Sequence, residues 1–135
     1  MSRFATPGQL ASWAGVCPGN NESAGKRKTG RTTKGSSALR TAFIEAALAA
    51  TRTKDTYLAA HYQRVKRNRG HKKAVVAVAH TILVIVWHLL DQGVDYNELG
   101  GDFFVARDAD SARRRAVRQL ERLGHKVTLE PAAAA

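Results

Sequence analysis

The sequence predicts an all-α fold: a compact helical domain of about five helices around a central apolar helix over residues 74–92. Two observations predict this class. The central run is apolar for about 20 residues, which suits a helix and is too long for a strand. Helix caps and helix-ending glycines recur on both sides of it. With 135 residues, the chain can bury one such core.

The first helix is predicted from a start signal at residues 6–9, Thr-Pro-Gly-Gln. The Thr caps the helix, the Pro occupies the first helical position, and the Gln reaches back toward the cap. Gly15 ends this short helix. Phe4 is expected to pack beside it.

Two further helices are predicted before the central run. The second begins at Ser36 or Ser37 and extends to about Arg52, with apolar residues on one face. The third extends from about Asp55 to Asn68, and its last turn is cationic, as the helix dipole favours.

The central helix itself is predicted over residues 71–92, with Gly93 as its stop. Its apolar residues cover nearly every face, which indicates the hydrophobic centre of the fold. Residues 74–90 also approach the minimum length of a membrane span, but His80 and His88 interrupt them. A buried core helix is the favoured interpretation, and no membrane partner is expected.

After the central helix, the sequence predicts a loop over residues 96–105 and one Arg-rich helix. Asp108 or Asp110 caps that helix, which extends through Leu123. Residues 127–129 are a candidate short strand.

Positive charge is concentrated in one region of the chain. The net charge is +11, and residues 20–73 hold fourteen Lys or Arg against three acidic residues; elsewhere eight basic and eight acidic residues cancel. Such segregation is typical of proteins that bind a phosphate backbone. The alternative is a basic surface that only keeps the protein soluble.

Residues 17–36 form a long basic loop rich in glycine. Apolar side chains are almost absent from it, so the segment cannot bury itself. Loops of this length in a compact domain are usually functional or disordered. From this loop and the neighbouring helix ends we predict a set of nucleic-acid-binding residues. They are Lys26, Arg27, Lys28, Arg31, Lys34, Arg40, Arg64, Lys66, Arg67, Arg69, Lys72 and Lys73.

Three other kinds of site do not fit the sequence. Residues 19–27 resemble a phosphate loop, but the glycine spacing is one residue too long and Arg27 stands where a Mg²⁺-binding hydroxyl is needed. The five His residues show no zinc-ligand spacing, so no metal site is predicted. Cys17 is the single cysteine, which excludes an intrachain disulfide and fits a cytoplasmic location.

Ser23 precedes Lys26, Arg27 and Lys28 in the basic loop. A serine hydroxyl becomes a useful nucleophile when its proton is removed and the charge on the attacked atom is stabilised. Cations around the non-bridging oxygens supply that stabilisation in phosphoryl transfer. No general base is identifiable nearby, and the competing interpretation is that Ser23 is an ordinary turn hydroxyl.

Two stretches resemble a known family: LASWAGVCPGNNESAGKRKTGRTTKGSSALRTAFIEAALAA and RGHKKAVVAVAHTILVIVWHLL. In order they carry (L)AS-x-x-G-x-x-P, S-[GA]-G-K, G-x-x-x-K-G, L-R at a helix start, and K-K-A-x-x-A-x-A-H. These features are similar to the C-terminal serine (Tnp) domain of the Piv/MooV-type insertion-sequence transposases, the "IS one-ten" family of bridge-RNA-guided recombinases. The resemblance extends over residues 4–104.

The resemblance implies that Ser23 attacks a DNA phosphate and holds the strand as a phosphoserine ester until rejoining, with Ser12 as the weaker candidate. It implies DNA and guide RNA as partners and a homo-oligomer in the full-length protein. It also implies an acidic RuvC-like domain that binds Mg²⁺, which we do not expect within this chain. On this basis residues 1–107 are the serine domain, shortened on its N-terminal side, and residues 108–135 are an Arg-rich helix and tail.

Two functions of different classes therefore compete. The favoured one is the C-terminal domain of a DNA transposase or recombinase, which binds nucleic acid, supplies the serine for phosphodiester cleavage and rejoining, and is expected to be inactive alone. The alternative is a non-catalytic basic helical module that binds RNA or DNA. Both predict salt-dependent binding. Only the first requires Ser23 for strand exchange.

Overall fold

The computed structural model describes residues 3–18 and 21–130. Within them the chain forms six helices and one two-stranded hairpin. The elements are α1 (Pro7–Trp13), β1 (Asn21–Ser23), β2 (Lys26–Thr29), α2 (Ser37–Ala50), α3 (Tyr57–Arg69), α4 (His71–Gln92), α5 (Phe103–Arg107) and α6 (Ala109–Arg122). The predicted all-α class is confirmed. The chain divides into two compact units, Met1–Asp102 and Phe103–Ala135, and the predicted domain boundary after residue 107 stays a prediction.

Helix α4 is the centre of the first unit, as predicted. Helices α1, α2 and α3 all pack against it. Its buried residues are Ala74, Val75, Val78, Ala79, Leu83 and Trp87. The alanines allow neighbouring helices to approach closely, while the larger side chains fill the interior. By length and composition alone α4 would also qualify as a membrane span, a property that core helices of soluble proteins share.

The start of α1 confirms the predicted cap. Thr6 Oγ1 accepts a hydrogen bond from Gln9 N at 3.3 Å. The Gln9 side chain reaches back, although its Oε1 accepts from Ala5 N (2.9 Å) and not from the cap residue itself. Phe4 packs beside the helix, where the centroid of its ring lies 5.5 Å from the centroid of the Trp13 ring.

The next two helices are also capped by side-chain hydroxyls. Of the two serines predicted to begin α2, Ser36 is the cap, and its Oγ accepts from Leu39 N at 3.4 Å. Helix α3 begins later than predicted, at Tyr57, because Thr56 caps it by accepting from Ala59 N at 3.3 Å.

The basic segment is not a loop throughout. Strands β1 and β2 pair antiparallel, and Pro18 and Thr32 form one further bridge. The turn between the strands is Ala24–Gly25, whose φ angles are 51° and 73°. Two residues with positive φ match the twist of a tight hairpin. The sequence did not predict this hairpin because its strands are polar, and because Ala rarely adopts positive φ.

The loop after α4 is attached to the start of α3 through Glu98. Its carboxylate accepts hydrogen bonds from Tyr57 N (2.7 Å), Gly100 N (2.9 Å) and the Tyr96 hydroxyl (2.8 Å). Burial acts to raise the pKa of Glu98, but these hydrogen bonds hold it below its ordinary value. Burial and the hydrogen bond to Glu98 raise the pKa of Tyr96 to about 12.

The second unit contains α5 and α6. Asp108 is the cap of α6, with its Oδ1 accepting from Ser111 N at 3.2 Å, and Gly124 follows the helix with a φ of 86°. Neither helix has a buried residue. Two predictions were wrong here. Residues 103–105 belong to α5 and not to a loop, and residues 127–129 form no strand.

Candidate nucleic-acid interface and serine site

The two ends of the basic segment meet where α1 ends and α2 begins. Gly35 lies directly on the backbone of Gly15, so that a Cβ atom at residue 35 would come within 2.5 Å of Ala14 C and Trp13 O. Such an approach leaves no room for any side chain. Ser36 N also donates to Trp13 O at 3.1 Å. We name this contact between residues 13–15 and 35–36 the neck.

A side-chain hydrogen bond and a buried residue strengthen the neck. Thr33 Oγ1 donates to Ser12 O at 3.1 Å. Val16 is 1% exposed and belongs to the hydrophobic core. The chain is therefore held to the helical core on both sides of the hairpin, by Val16 before it and by Thr33 and Ser36 after it.

Ser23 is the last residue of β1 and lies next to the turn. It pairs with Lys26 across the hairpin, and Glu22 pairs with Arg27. The side chains of residues 23–26 are exposed. Because directly opposite residues share one face of a hairpin, the hydroxyl of Ser23 and the ammonium of Lys26 lie on the same face.

The structure divides the other predicted cations between the basic segment and the helices. Arg31 and Lys34 are exposed in the segment, and Arg40 is exposed on α2. The side chains of Arg27 and Lys28 lie outside the described part of the chain. Six cations are exposed on α3 and at the start of α4: Arg64, Lys66, Arg67, Arg69, Lys72 and Lys73.

A buried tyrosine holds the end of α3 against the start of α4. The Tyr62 hydroxyl and His71 Nδ1 are 2.8 Å apart, and their rings meet edge to face. Lys66 Nζ lies 5.4 Å from the centroid of the Tyr62 ring, which is a cation–π contact. Gly70, with a φ of 81°, joins the two helices. The cationic turns of α3 and α4 are therefore adjacent.

A cleft of about 520 Å³ lies between α2 and the first turns of α4. Arg40 and Lys72 both line it, which brings together two predicted cations from different helices. Glu45 and His71 line it as well. No described hairpin residue does, so the structure does not bring Lys26 to this cleft.

The described residues also bear on metal binding and on Cys17 as a nucleophile. In residues 3–18 and 21–130, no three His, Cys, Asp or Glu side chains are grouped so that they could hold a metal ion. Burial raises the pKa of the Cys17 thiol, which disfavours the thiolate that a nucleophilic cysteine needs.

Sequence reasoning did not identify the residues that build the neck. No local sequence pattern marks Gly35 or Thr33 as contact residues, because a contact between backbone segments that are distant in the sequence produces no periodicity around either one. The spacing G-x-x-x-K-G, which ends at Gly35, is the one pattern that contains this information. A glycine is often required where two backbones touch.

Comparison with known proteins gives one match. Residues 1–63 match the family model described as Transposase IS116/IS110/IS902 family. No curated protein and no solved structure matches the chain. The matched segment contains α1, the neck, the hairpin with Ser23, α2 and the start of α3. The match covers less than half of the chain, and over that part the chain is similar to transposases of this family.

Proposed function

We propose that this chain is the serine-bearing, nucleic-acid-binding part of a DNA transposase, with Ser23 as the nucleophile. One observation carries the proposal. Ser23 is exposed next to a hairpin turn, opposite Lys26, within the segment that matches the transposase family. An exposed hydroxyl beside an ammonium group is accessible to a phosphodiester, which a buried one would not be.

In the proposed reaction, Ser23 Oγ attacks the phosphorus of a DNA phosphodiester. A bond forms between Oγ and phosphorus while the bond from phosphorus to one deoxyribose oxygen breaks. A base takes the Oγ proton, and the departing deoxyribose oxygen gains one. Attack by another deoxyribose hydroxyl reverses these steps and joins a new strand. One phosphate ester replaces another each time, so the exchange requires no nucleoside triphosphate.

The cations have two roles in this proposal. Lys26, opposite Ser23, is placed to neutralise a non-bridging oxygen of the attacked phosphate. The exposed cations of the basic segment, α2, α3 and the start of α4 bind the nucleic-acid backbone and release counterions from it. Contacts of this kind position the nucleic acid and do not read its bases.

The proposal extends, through the resemblance, to guide RNA as a second nucleic acid, to self-association of the full-length protein and to a cytoplasmic location. It also includes the expectation that this chain cleaves DNA only together with an acidic, metal-binding RuvC-like domain.

The test supplies an acidic RuvC-like domain in trans, with guide RNA, donor DNA and target DNA. Wild type, Ser23→Ala and Ser12→Ala are compared for strand exchange, and a protein–DNA adduct is located by mass spectrometry. We expect Ser23→Ala to abolish exchange and adduct while nucleic-acid binding is retained, and Ser12→Ala to preserve both. An adduct on Ser12 would reject the assignment of Ser23. Binding without any dependence of exchange on Ser23 would favour the non-catalytic module.

A further inference from the structure

The second half of α4 and the loop after it carry the opposite charge from the rest of the first unit. Residues 74–102 contain no Lys or Arg. Four acidic residues fall in this stretch: Asp91, Asp95, Glu98 and Asp102. All four are exposed. A chain with a net charge of +11 therefore presents one locally anionic region.

An open groove of about 480 Å³ lies within this region, between the start of α3, the second half of α4 and the loop after it. Apolar side chains line much of it: Val84, Ile85, Leu89 and Leu99. Leu99 is 50% exposed, and two further apolar residues between Leu89 and Leu99, Leu90 and Val94, are 63% and 51% exposed. Exposed large apolar side chains beside a groove are candidates for contact with a partner.

We propose that this groove binds a cationic amphipathic helix of a partner protein. The apolar face of such a helix would enter the groove, as in other helix-in-groove complexes, and its Lys or Arg side chains would lie against the acidic rim. The acidic rim consists of Asp95 and Glu98, which flank Tyr96 and Asn97 in the sequence, and both of these line the groove. The Glu98 carboxylate keeps its negative charge at neutral pH because it accepts the N–H groups of Tyr57 and Gly100.

Charge complementarity is what selects this occupant. The acidic rim would repel the phosphate backbone of a nucleic acid. Such a ligand would bind to the cations of residues 20–73 instead. An anionic membrane surface would be repelled in the same way. The proposed docking does not depend on the role of Ser23, since the groove shares no residue with the hairpin.

The probe is a short fluorescein-labelled peptide with Leu and Lys at amphipathic helical spacing, added to the full chain. Its fluorescence anisotropy should rise to saturation. A matched peptide with Gln in place of every Lys, which the cations of residues 20–73 do not attract, should bind much more weakly. Non-specific attraction cannot produce this result, because the chain as a whole repels a cationic peptide through its charge of +11.

Variants then locate the binding site. Leu99→Ser should weaken peptide binding about tenfold, because it removes an apolar contact, and Asp95→Asn about two- to fivefold. The control variants Leu129→Ser and Glu121→Gln change exposed residues outside the groove and should bind as wild type does. The proposal is rejected if all variants bind alike, if the Gln peptide binds equally well, or if the apolar surface instead inserts into phosphatidylcholine–phosphatidylglycerol vesicles.

Discussion

Gly15 and Gly35 touch backbone to backbone, and this contact brings the end of α1 to the start of α2. Gly15 has a φ of 74°, a conformation that L residues rarely adopt. A Cβ on Gly15 would lie 2.8 Å from Gly35 N, so neither position has room for a side chain. The contact closes the base of the basic segment and reduces the number of conformations open to the hairpin.

Replacement of Gly35 with alanine is expected to destabilise the fold. The new methyl group overlaps backbone atoms that cannot move independently, so we expect a loss of about 1–3 kcal/mol. The free energy of unfolding in urea measures it. Gly30→Ala is the matched control, because a Cβ at Gly30 meets nothing within 4 Å, and its change should stay within about 0.5 kcal/mol. Equal effects of the two substitutions would contradict the neck.

Tyr62 and His71 should be energetically coupled. Tyr62→Phe removes the hydroxyl that meets His71 Nδ1 at 2.8 Å, and we expect it to cost about 1 kcal/mol of stability. A double-mutant cycle with His71→Ala isolates the pair, and its interaction energy should be about 0.5–1.5 kcal/mol. Strictly additive effects would mean that the hydrogen bond does not hold the α3–α4 junction.

Glu98 should stabilise the start of α3 although it is distant in the sequence. Glu98→Ala leaves Tyr57 N, in the first turn of the helix, without its acceptor, and we expect a loss of about 1 kcal/mol, as for a helix cap. Asp95→Ala, an exposed change in the same loop, serves as control. Urea denaturation compares the two. If the control loses as much stability, the removal of a negative charge from this loop, and not the loss of the Glu98 hydrogen bonds, would be responsible.

Stability should fall as the pH is lowered through the range in which histidine titrates. Burial lowers the pKa of His61, with further contributions from Arg64 and His80, and burial also lowers the pKa of His80. The folded chain thus favours both rings in their neutral form. The contribution of the two histidines to the free energy of unfolding is fully present above their ordinary pKa of 6.5. It is lost as the pH falls from there toward the lower pKa values of the folded chain.

Urea unfolding at about pH 7.5 and about pH 5.5 brackets this range. His80→Gln should reduce the pH dependence, because one of the two groups no longer titrates. A pH dependence unchanged by His80→Gln would show that other groups cause it.

Nucleic-acid binding should weaken uniformly when cations of the basic segment are removed. Arg27→Ala combined with Lys28→Ala should lower the affinity equally for unrelated DNA duplexes. The slope of log affinity against log salt should fall by about 0.9 for each lost phosphate contact. Arg114→Ala with Arg115→Ala removes the same charge outside residues 20–73 and should weaken binding less. A changed preference between DNA sequences would contradict backbone recognition.

Local signals predicted most of the fold. The length of the apolar run and its terminal glycine defined α4, and Gly93 does end it, with a φ of 64°. The Thr6 cap defined the start of α1 in the same way. Such signals are readable because a cap or a left-handed glycine acts within a few residues of its own position.

The candidate site was less predictable because it depends on contacts between distant residues. The tight turn at Ala24–Gly25 depends on an alanine with positive φ, which no propensity favours. The approach of Gly35 to Gly15 depends on how α1 and α2 both pack on α4. Ser23 was identified through a family resemblance, and its role as a nucleophile stays a prediction.

The neck has a consequence for how such chains can diversify. Because the chain is held to the helical base on both sides of the hairpin, at Val16 and at Thr33 to Ser36, lengthening or shortening the hairpin tip need not displace α1 or α2. The hairpin tip is in effect an exchangeable segment on a fixed base of helices. New tips could be grafted between Pro18 and Thr32, which form the bridge at the base of the hairpin, with Thr33 and the neck left unchanged.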